Sequence, residues 1–419
     1  MPAAQTVPAE QTVPAAQTGG VARLPDGDPA PADGALPGAA LARLPQQPFG
    51  VYLHVPFCAT RCGYCDFNTY TAGELTGSAA SPGSYLDAVR TELALAAEVL
   101  GPGRPPVSTV FVGGGTPTLL GADALAGLLG EVDAVLGLAP GAEVTTEANP
   151  ESVDPGAFDR LRTAGFTRVS LGMQSVVPHV LATLDRRHTP GRAVAAAAEA
   201  RAAGFEHVSL DLIYGTPGES AADWRATLDA VAAAEVDHVS AYSLTVEPGT
   251  ALHRRVSRGE LPGVDDDTMA DRYETADEAL SAAGLSWYEV SSWARTPADE
   301  CRHNRLYWSE ASWWGAGPGA HSHVGGVRWW NVKHPAAYAA RLADGRSPAA
   351  AREVLDDEAR ALERVLLGVR TRDGLPVEGT DPAVVAQLVA DGLVESQPAR
   401  IVLTRRGRLL ADAVVRALT

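Results

Sequence analysis

The chain has 419 residues with 46% hydrophobic and 20% charged side chains, proportions typical of a globular protein with a substantial core. Its formal net charge of −17 disfavours non-specific binding to nucleic acid or to an anionic membrane surface. No apolar run reaches the ~18 residues of a membrane-spanning helix. No Lys or Arg precedes Arg23, so no secretory signal is indicated. Together with clustered cysteines, this predicts a cytoplasmic protein with at most peripheral membrane contact.

Residues 1–45 are dominated by Ala, Pro, Gly, Gln and Thr, and they contain the short repeat PAAQTV-PAEQTV-PAAQT. Nothing in this segment is apolar enough to offset the entropy lost on ordering it. The composition therefore predicts a disordered tail over 1–45.

From residue 46 to residue 290, β-rich runs alternate with helical stretches rich in Ala and Leu. The predicted strands are 51–55, 109–114, 143–148, 168–173, 207–213 and 238–244. The predicted helices are 84–100, 122–136, 155–165, 191–204, 220–235 and 269–284. Such alternation indicates βαβ units around a parallel sheet, and about six units predict a complete or partial β/α barrel. An open doubly wound sheet would show the same pattern.

The ends of the predicted strands carry polar or glycine-rich sequences. The first strand runs into three cysteines and the second into Gly113–Thr118, and the next three end on Glu147, Gln174 and Asp211. A β/α barrel places its functional residues at the carboxyl ends of its strands. The pattern at five successive strands therefore predicts a site there.

After residue 290 the alternation fades, and residues 291–345 are predicted to be a linking segment rich in Trp, His and Gly. Residues 346–419 then show two helices, two strands and a further helix opened by Thr404, an order that resembles a winged-helix module. Three arginines near 405–408 make this module locally basic, but the acidic chain as a whole disfavours a nucleic-acid partner.

Cys58, Cys62 and Cys65 lie within eight residues, and the next cysteine is Cys301. Three buried free thiols at this spacing would be unusual. A zinc site needs four ligands, for which His54 is a conceivable fourth. A four-iron cluster on three thiolates would leave one iron open for an outside ligand. Cys301 is predicted to be a reduced structural thiol.

The pattern C-x-x-x-C-x-Tyr-C directly after a first strand resembles the signature of the radical S-adenosylmethionine (SAM) superfamily, whose fold is a full or partial β/α barrel. The run GGGTPT after the second strand strengthens the resemblance, because glycines let the backbone approach a ligand closely. The resemblance implies a 4Fe–4S cluster on Cys58, Cys62 and Cys65, with SAM at the open iron.

Further motifs, YLHVPFC, EANP, GMQS, DLIYGTPGE and EPGT, resemble the coproporphyrinogen oxidase-like subgroup over roughly residues 50–419. This resemblance implies a partial (β/α)6 barrel with a C-terminal winged-helix-like module. It also implies that SAM is bound by Tyr52, Gly114, Gly115, Thr116, Glu147, Gln174, Arg186 and Asp211. The residue types suit that role, since carboxylates accept hydrogen bonds from ammonium or hydroxyl groups and an arginine pairs with a carboxylate.

Two features distinguish members of this subgroup. Phe67 stands where the oxygen-independent coproporphyrinogen III oxidases carry a further cysteine, and residues 303–308 match the H-N-x-x-Y-W motif of related heme chaperones. His303 would ligate heme iron, and Tyr307 and Trp308 would offer flat apolar surface to the macrocycle. The alternative interpretation of His303 is an ordinary hydrogen-bonded histidine beside core aromatics.

The resemblance therefore implies a heme chaperone that binds heme, a 4Fe–4S cluster and SAM and transfers heme to heme-requiring acceptor proteins. It implies a protein without coproporphyrinogen oxidase activity. The alternative function is that oxidase itself, a radical SAM enzyme that oxidatively decarboxylates coproporphyrinogen III in porphyrin biosynthesis. Cleavage of SAM and assembly into a homodimer are left open by the sequence.

Overall fold

The computed structural model describes residues 27–75 and 80–419. Helix α1 (Gly38–Arg43) buries Ala40, and Leu44 beyond it is also buried. Asp28 exchanges two backbone hydrogen bonds with Arg352, at 2.8 and 2.9 Å. The disordered tail predicted over 1–45 is therefore wrong for 27–45, because a few small apolar side chains and paired backbone groups order this stretch. Residues 1–26 lie outside the described residues.

Six parallel strands in chain order form the centre of the fold and confirm the predicted α/β class. Each strand is hydrogen-bonded in parallel to the next. The strands are β1 (Phe49–Val55), β2 (Val107–Gly114), β3 (Leu138–Ala148), β4 (Arg168–Gln174), β5 (His207–Tyr214) and β6 (His238–Ser243). Their carboxyl ends agree with the predicted ends to within one residue.

Helices cover the outer face of these strands. In one of them, Leu125, Leu128, Leu129 and Val132 repeat at helical spacing and are buried. Another begins with a capping box in which Ser220 and Asp223 bond each other's backbone N–H. The helices are α2 (Pro82–Leu100), α3 (Ala122–Leu136), α4 (Pro155–Ala164), α5 (Pro178–Thr183), α6 (Arg192–Ala202), α7 (Ala221–Ala233), α8 (Ala251–Ser257) and α9 (Asp266–Ala282).

The sheet continues beyond both ends of the six-stranded unit. The added elements are β7 (Ser286–Glu289), β8 (Ser292–Ala294), α10 (Arg302–Trp308), β9 (Ser312–Ala316), β10 (His321–Val324), β11 (Val327–Asn331), α11 (Pro335–Ala343) and β12 (Ala349–Val354). On one side β6 pairs with β8, and on the other β1 pairs with β9. Across the described strands β6 and β1 are thus not neighbours, and the curved sheet forms a partial barrel. The segment predicted as a link over 291–345 supplies four strands of this sheet.

The last part of the chain has its own apolar core, formed by ten buried residues that include Val369, Ile401 and Val414. Its elements are α12 (Asp357–Gly368), β13 (Leu375–Pro376), α13 (Pro382–Ala390), β14 (Val394–Gln397), β15 (Arg400–Leu403), α14 (Arg405–Leu409) and α15 (Ala411–Leu418). The strand order β13-β15-β14 beside helices agrees with a winged-helix-like module. Arg408 bonds Asp277 of α9 at 2.9 Å and stacks on Trp287, which attaches the module to the core.

None of the helices within residues 27–75 and 80–419 is long and apolar enough to cross a lipid bilayer. The longest of the helices that pack on the six strands, α2, has 19 residues, and seven of these face the core. Its apolar surface is thus used within the fold.

Candidate functional site

The three clustered cysteines lie in the loop over residues 56–70 that follows β1, here called the cysteine loop. All three are unpaired thiols and partly buried. Each has a different neighbour: Thr116 Oγ1 lies 3.9 Å from Cys58 Sγ, Arg186 Nη1 lies 3.6 Å from Cys62 Sγ, and Thr69 Oγ1 lies 4.0 Å from Cys65 Sγ.

Burial raises the pKa of the Cys58 thiol and raises the pKa of Cys65 to about 12. Metal binding would have to displace the protons that these pKa values favour, as is general for thiolate ligands. In residues 27–75 and 80–419, no group of three or more His, Cys, Asp or Glu is placed to hold a single metal ion. In an iron–sulfur cubane each thiolate binds a different iron, so its ligands stand farther apart than those of one ion. The donor set, three thiolates in one loop, fits a four-iron cluster with one open iron, whereas a structural zinc site takes four ligands.

The glycine-rich run at the end of β2 passes directly beside the cysteine loop. Gly114 has a φ of 113°, in the region that favours glycine, and its N–H donates to Glu147 Oε2 at 2.9 Å. A Cβ on Gly115 would lie 2.5 Å from Phe57 O and 2.9 Å from Cys58 Sγ. Glycine is thus required here because the strand end and the first cysteine touch.

Two carboxyl groups face the cavity from β3 and β5, the strands on either side of β4. Burial, with the nearby Asp211, raises the pKa of Glu147 to about 8. Burial likewise raises the pKa of Asp211 to about 6, although it accepts a hydrogen bond from Ser170 at 2.9 Å. Gln174 adopts a left-handed φ of 63°, and Arg186 Nη2 donates to Gly172 O at 2.6 Å.

All these groups line one cavity of about 650 Å³ that extends into the partial barrel. A cavity of this size suits a small organic ligand or cofactor. The structure thus brings together the predicted cluster and SAM residues, namely Tyr52, Cys58, Cys62, Cys65, Gly114, Gly115, Thr116, Glu147, Gln174, Arg186 and Asp211. Phe67 also lines the cavity. The end at the cysteine loop is called the mouth.

The opposite end of the cavity, here called the floor, is formed by α10. Glu143 of β3 anchors this helix: it accepts from the N–H groups of His303 and Arg302 at 3.0 and 3.1 Å and from Arg168 Nε at 3.1 Å. Cys301 Sγ lies 3.7 Å from the same carboxylate. Burial raises the pKa of Glu143, but Arg168 and the two N–H groups together lower it by more. The pKa of Glu143 therefore lies below its usual value.

His303 is held on the floor by both ring nitrogens. Its Nδ1 lies 2.8 Å from Thr109 Oγ1 and its Nε2 lies 2.9 Å from Tyr307 OH. Burial lowers the pKa of His303 to about 4, so the imidazole is neutral and keeps the lone pair that metal ligation needs. His303 and Tyr307 line the cavity, whereas Trp308 is not among the described residues that do.

A hydrogen-bonded chain links the cavity wall to the cysteine loop. His54 Nε2 lies 2.9 Å from Asn68 O, and because a carbonyl only accepts, this nitrogen donates. His54 Nδ1 therefore accepts from Tyr52 OH at 3.0 Å, which leaves the lone pairs of that hydroxyl for the cavity. Asn68 Nδ2 in turn donates to the carbonyls of Pro318 and Lys333 at 2.8 and 2.9 Å.

Several site residues were missed by the sequence analysis. Glu143, Thr145 and Glu147 alternate along β3, and Arg168 and Ser170 alternate along β4, with apolar residues between most of them. Polar residues at every second position of a buried strand indicate a polar interior, and this signal was available. Nothing in the sequence around Asn68 indicated its bonds to residues more than 200 positions away.

The sequence of the chain is similar to those of known proteins. Residues 52–231 match the family model of the radical SAM superfamily. Heme chaperone HemW of Mycobacterium tuberculosis is 61% identical to the chain, over 91% of this chain and 97% of the relative. Heme chaperone HemW of Bacillus subtilis is 31% identical, over 87% of this chain and 97% of the relative.

Among solved structures, the radical SAM enzyme coproporphyrinogen III oxidase (HemN) from Escherichia coli superposes with a TM-score of 0.77 at 25% identity. The match covers 90% of this chain and 92% of that chain, which confirms the predicted fold including the C-terminal module. The identity to the two HemW proteins extends over nearly their whole length. The chain therefore belongs to the HemW family of the radical SAM superfamily.

Proposed function

We propose that the chain is a heme chaperone, which binds heme and transfers it to heme-requiring proteins. Two HemW relatives that match almost end to end carry the name heme chaperone. The structural observation that carries the proposal is that α10, with the H-N-x-x-Y-W motif, forms the floor of the cavity whose mouth is the cysteine loop. A single cavity thus joins the proposed heme residues to the proposed cluster residues.

The cofactors of the superfamily are a 4Fe–4S cluster and SAM. In the proposal Cys58, Cys62 and Cys65 would hold the cluster, and the cluster would supply a binding position and an electron for SAM. Residues of the wall then hold SAM: the backbone of Gly114, Gly115 and Thr116 lies beside the first cysteine, and Arg186 is placed to pair with a carboxylate. The other proposed contacts are Tyr52, Glu147, Gln174 and Asp211.

The proposed heme residues are His303, Tyr307 and Trp308. A neutral imidazole on the cavity floor is suited to ligate iron. Because both ring nitrogens are already bonded, ligation requires that His303 give up one partner. The partner to be released is Tyr307, since it lies on the same helix as His303 and lines the same cavity. Its ring would then lie beside the macrocycle.

Coproporphyrinogen III oxidase activity is the second candidate, because the HemN fold matches over nearly the whole chain. Phe67 argues against it. This side chain lines the cavity mouth two residues after Cys65, where a further cysteine would be expected of the oxidase. We therefore propose a radical SAM scaffold without that oxidase activity.

The remaining parts of the proposal concern partners and organisation. We propose a cytoplasmic protein with heme and heme-requiring acceptor proteins as partners, at most peripheral membrane contact and no nucleic-acid partner; a homodimer is compatible with it. In domain terms, the barrel core at 46–290 binds SAM, 291–345 carries the heme residues, and 346–419 forms the C-terminal module.

The test is an anaerobic reconstitution of the cluster, followed by a heme titration read from the absorption spectrum and an assay of coproporphyrinogen decarboxylation. We expect saturable heme binding and no decarboxylation. His303→Ala should lose most heme affinity with the cluster intact. His323→Ala is the control, because this buried histidine bonds Ala311 O at 2.9 Å and does not line the cavity as described. Turnover of coproporphyrinogen by the wild-type protein would refute the chaperone proposal.

A further inference from the structure

The floor of the cavity contains a buried arginine with one unused donor. Arg168 is 1% exposed, and its Nε donates to Glu143 while its Nη2 donates to Asp299 O at 2.7 Å and to Glu300 O at 3.1 Å. Its Nη1 has no hydrogen-bond partner. A buried donor left unpaired loses the hydrogen bonds that it would make to water, and the loss is larger when the donor is charged. This nitrogen is therefore placed to gain from a ligand.

A second unused group lies beside it. Thr145 is fully buried on β3 at the position paired with Arg168 of β4, and its hydroxyl also has no partner. Phe111 of β2 is the register partner of Thr145 on the other side. All three residues line the cavity. Two side chains with an unpaired hydrogen-bond donor are thus register partners on adjacent strands, and the next strand supplies an aromatic ring.

The charges around this pair favour an anionic group. Glu143 pairs with the guanidinium at Nε and with the N–H groups of Arg302 and His303, so Nη1 is the part of the cation left to meet an anionic group. The two donors match the two oxygens of a carboxylate, and the flat ring of Phe111 suits a planar group. A phosphate would bring further oxygens against apolar carbon.

We propose that Arg168 Nη1 and the Thr145 hydroxyl form a subsite that binds one carboxylate group of an organic molecule that enters the cavity. The subsite uses none of the residues assigned to SAM, although one of these, Tyr52, stacks on Phe111. It goes beyond the proposed function, because it names a recognised chemical group whether or not that group belongs to heme. A propionate arm of heme is one source of such a group, and a small free carboxylate is another.

The first experiment uses the reconstituted protein saturated with SAM, so that the sites at the mouth are filled. Isothermal titration compares sodium propionate with propionamide, a neutral molecule of the same shape. We expect propionate to bind at least tenfold more tightly, and Thr145→Val to weaken it about tenfold by removing one of two hydrogen bonds. Thr146→Val is the matched control: this neighbour faces away from the cavity and donates to Glu147 O at 3.1 Å.

Folding is controlled in the same variants. Because the Thr145 hydroxyl has no partner within the protein, Thr145→Val should keep or raise the unfolding midpoint. Equal binding of propionate and propionamide, no detectable binding of either, or unchanged propionate affinity in Thr145→Val would overturn the proposal. The floor would then hold only water.

The second experiment identifies the source of the carboxylate. Heme and heme dimethyl ester are titrated into the wild-type protein and Thr145→Val. If a propionate of heme occupies the subsite, the ester binds the wild-type protein several-fold more weakly than heme, and the variant removes this difference. Equal affinities in the wild-type protein would exclude heme as the source, while the propionate titration still decides the subsite. Failure of heme to bind at all would refute the heme proposal alone.

Discussion

The two ends of the cavity differ in how completely their polar groups are paired. At the mouth, the Sγ atoms of the three thiols lie 3.9, 3.6 and 4.0 Å from Thr116, Arg186 and Thr69, and burial raises the pKa of Glu147 to about 8. At the floor, Glu143 accepts hydrogen bonds from three N–H groups, and His303 uses both ring nitrogens. The difference teaches that the mouth gains its full set of contacts only with bound groups, whereas most of the floor is fixed by the fold itself.

The largest expected effect is at the mouth. Cys62→Ala should abolish the absorption at about 400 nm of a reconstituted thiolate-held cluster, because only two thiolates would remain for its four irons. Cys301→Ala is the control at the floor and should keep the absorption, since that thiol lies beside Glu143 rather than in the cysteine loop. An unchanged spectrum in Cys62→Ala would contradict the ligand assignment.

Gly115→Ala should also damage the mouth while the chain stays folded. The new Cβ would meet Phe57 O and Cys58 Sγ, so the first cysteine must move. We expect cluster content, measured as iron per chain, to fall several-fold. Gly127→Ala in α3 has open space around its Cβ and should leave cluster content unchanged. Normal iron content in Gly115→Ala would show that Cys58 is not fixed by this contact.

At the floor, Glu143→Gln should act on stability more than on the cluster. The substitution leaves the buried Arg168 without its ionic partner, a loss of about 3–5 kcal/mol. Chemical denaturation measures the change in the free energy of unfolding. Glu260→Gln, which breaks an exposed ion pair with Arg258, should have almost no effect. A small effect of Glu143→Gln would mean that the floor is less tightly bound than its hydrogen bonds indicate.

The smallest effect concerns pH at the mouth. The folded pKa of Glu147, about 8, lies above its usual value of 4.5, so between these values the folded state holds the proton more tightly. Stability must then fall as pH rises from about 5 to about 8, and Glu147→Gln should remove this fall. Without bound SAM, we expect an unfolding midpoint about 2–4 °C above wild type at pH 8 and little difference at pH 5.

For the pH experiment the control is Glu98→Gln on the exposed face of α2, which should behave as the wild-type protein. If the unfolding midpoint of Glu147→Gln falls with rising pH as steeply as that of the wild-type protein, the pH dependence has another origin. Calorimetry should also show weaker SAM binding in Glu147→Gln with the cluster still formed.

Much of the mouth could be predicted because its residues are close in sequence to strand ends. Cys58, Cys62 and Cys65 follow β1 within ten residues, and the run from Gly113 closes β2. Strand ends follow from local patterns of β-branched and apolar residues, which is why the fold of the barrel core was predicted well.

The floor and the flanking segments depend on distant contacts and were harder to predict. The order of residues 27–45 depends on partners such as Gly325 and Arg352, and composition alone does not show them. The strands within 312–331 are short. The one that pairs with β1 is β9, and most of the chain lies between these two strands in sequence. Arg168 is the first residue of β4, and the fold buries it through contacts with Glu143 and with residues 299–300 that the sequence does not show.

The position of β1 has a consequence for the order of events during synthesis. One edge of β1 pairs with β2, but the other pairs with β9, so this edge stays unpaired until residue 316 has left the ribosome. Asn68 likewise finds its acceptors Pro318 and Lys333 only late in translation. The cysteine loop, which precedes all the barrel helices, is therefore among the last parts of the barrel to reach its final shape.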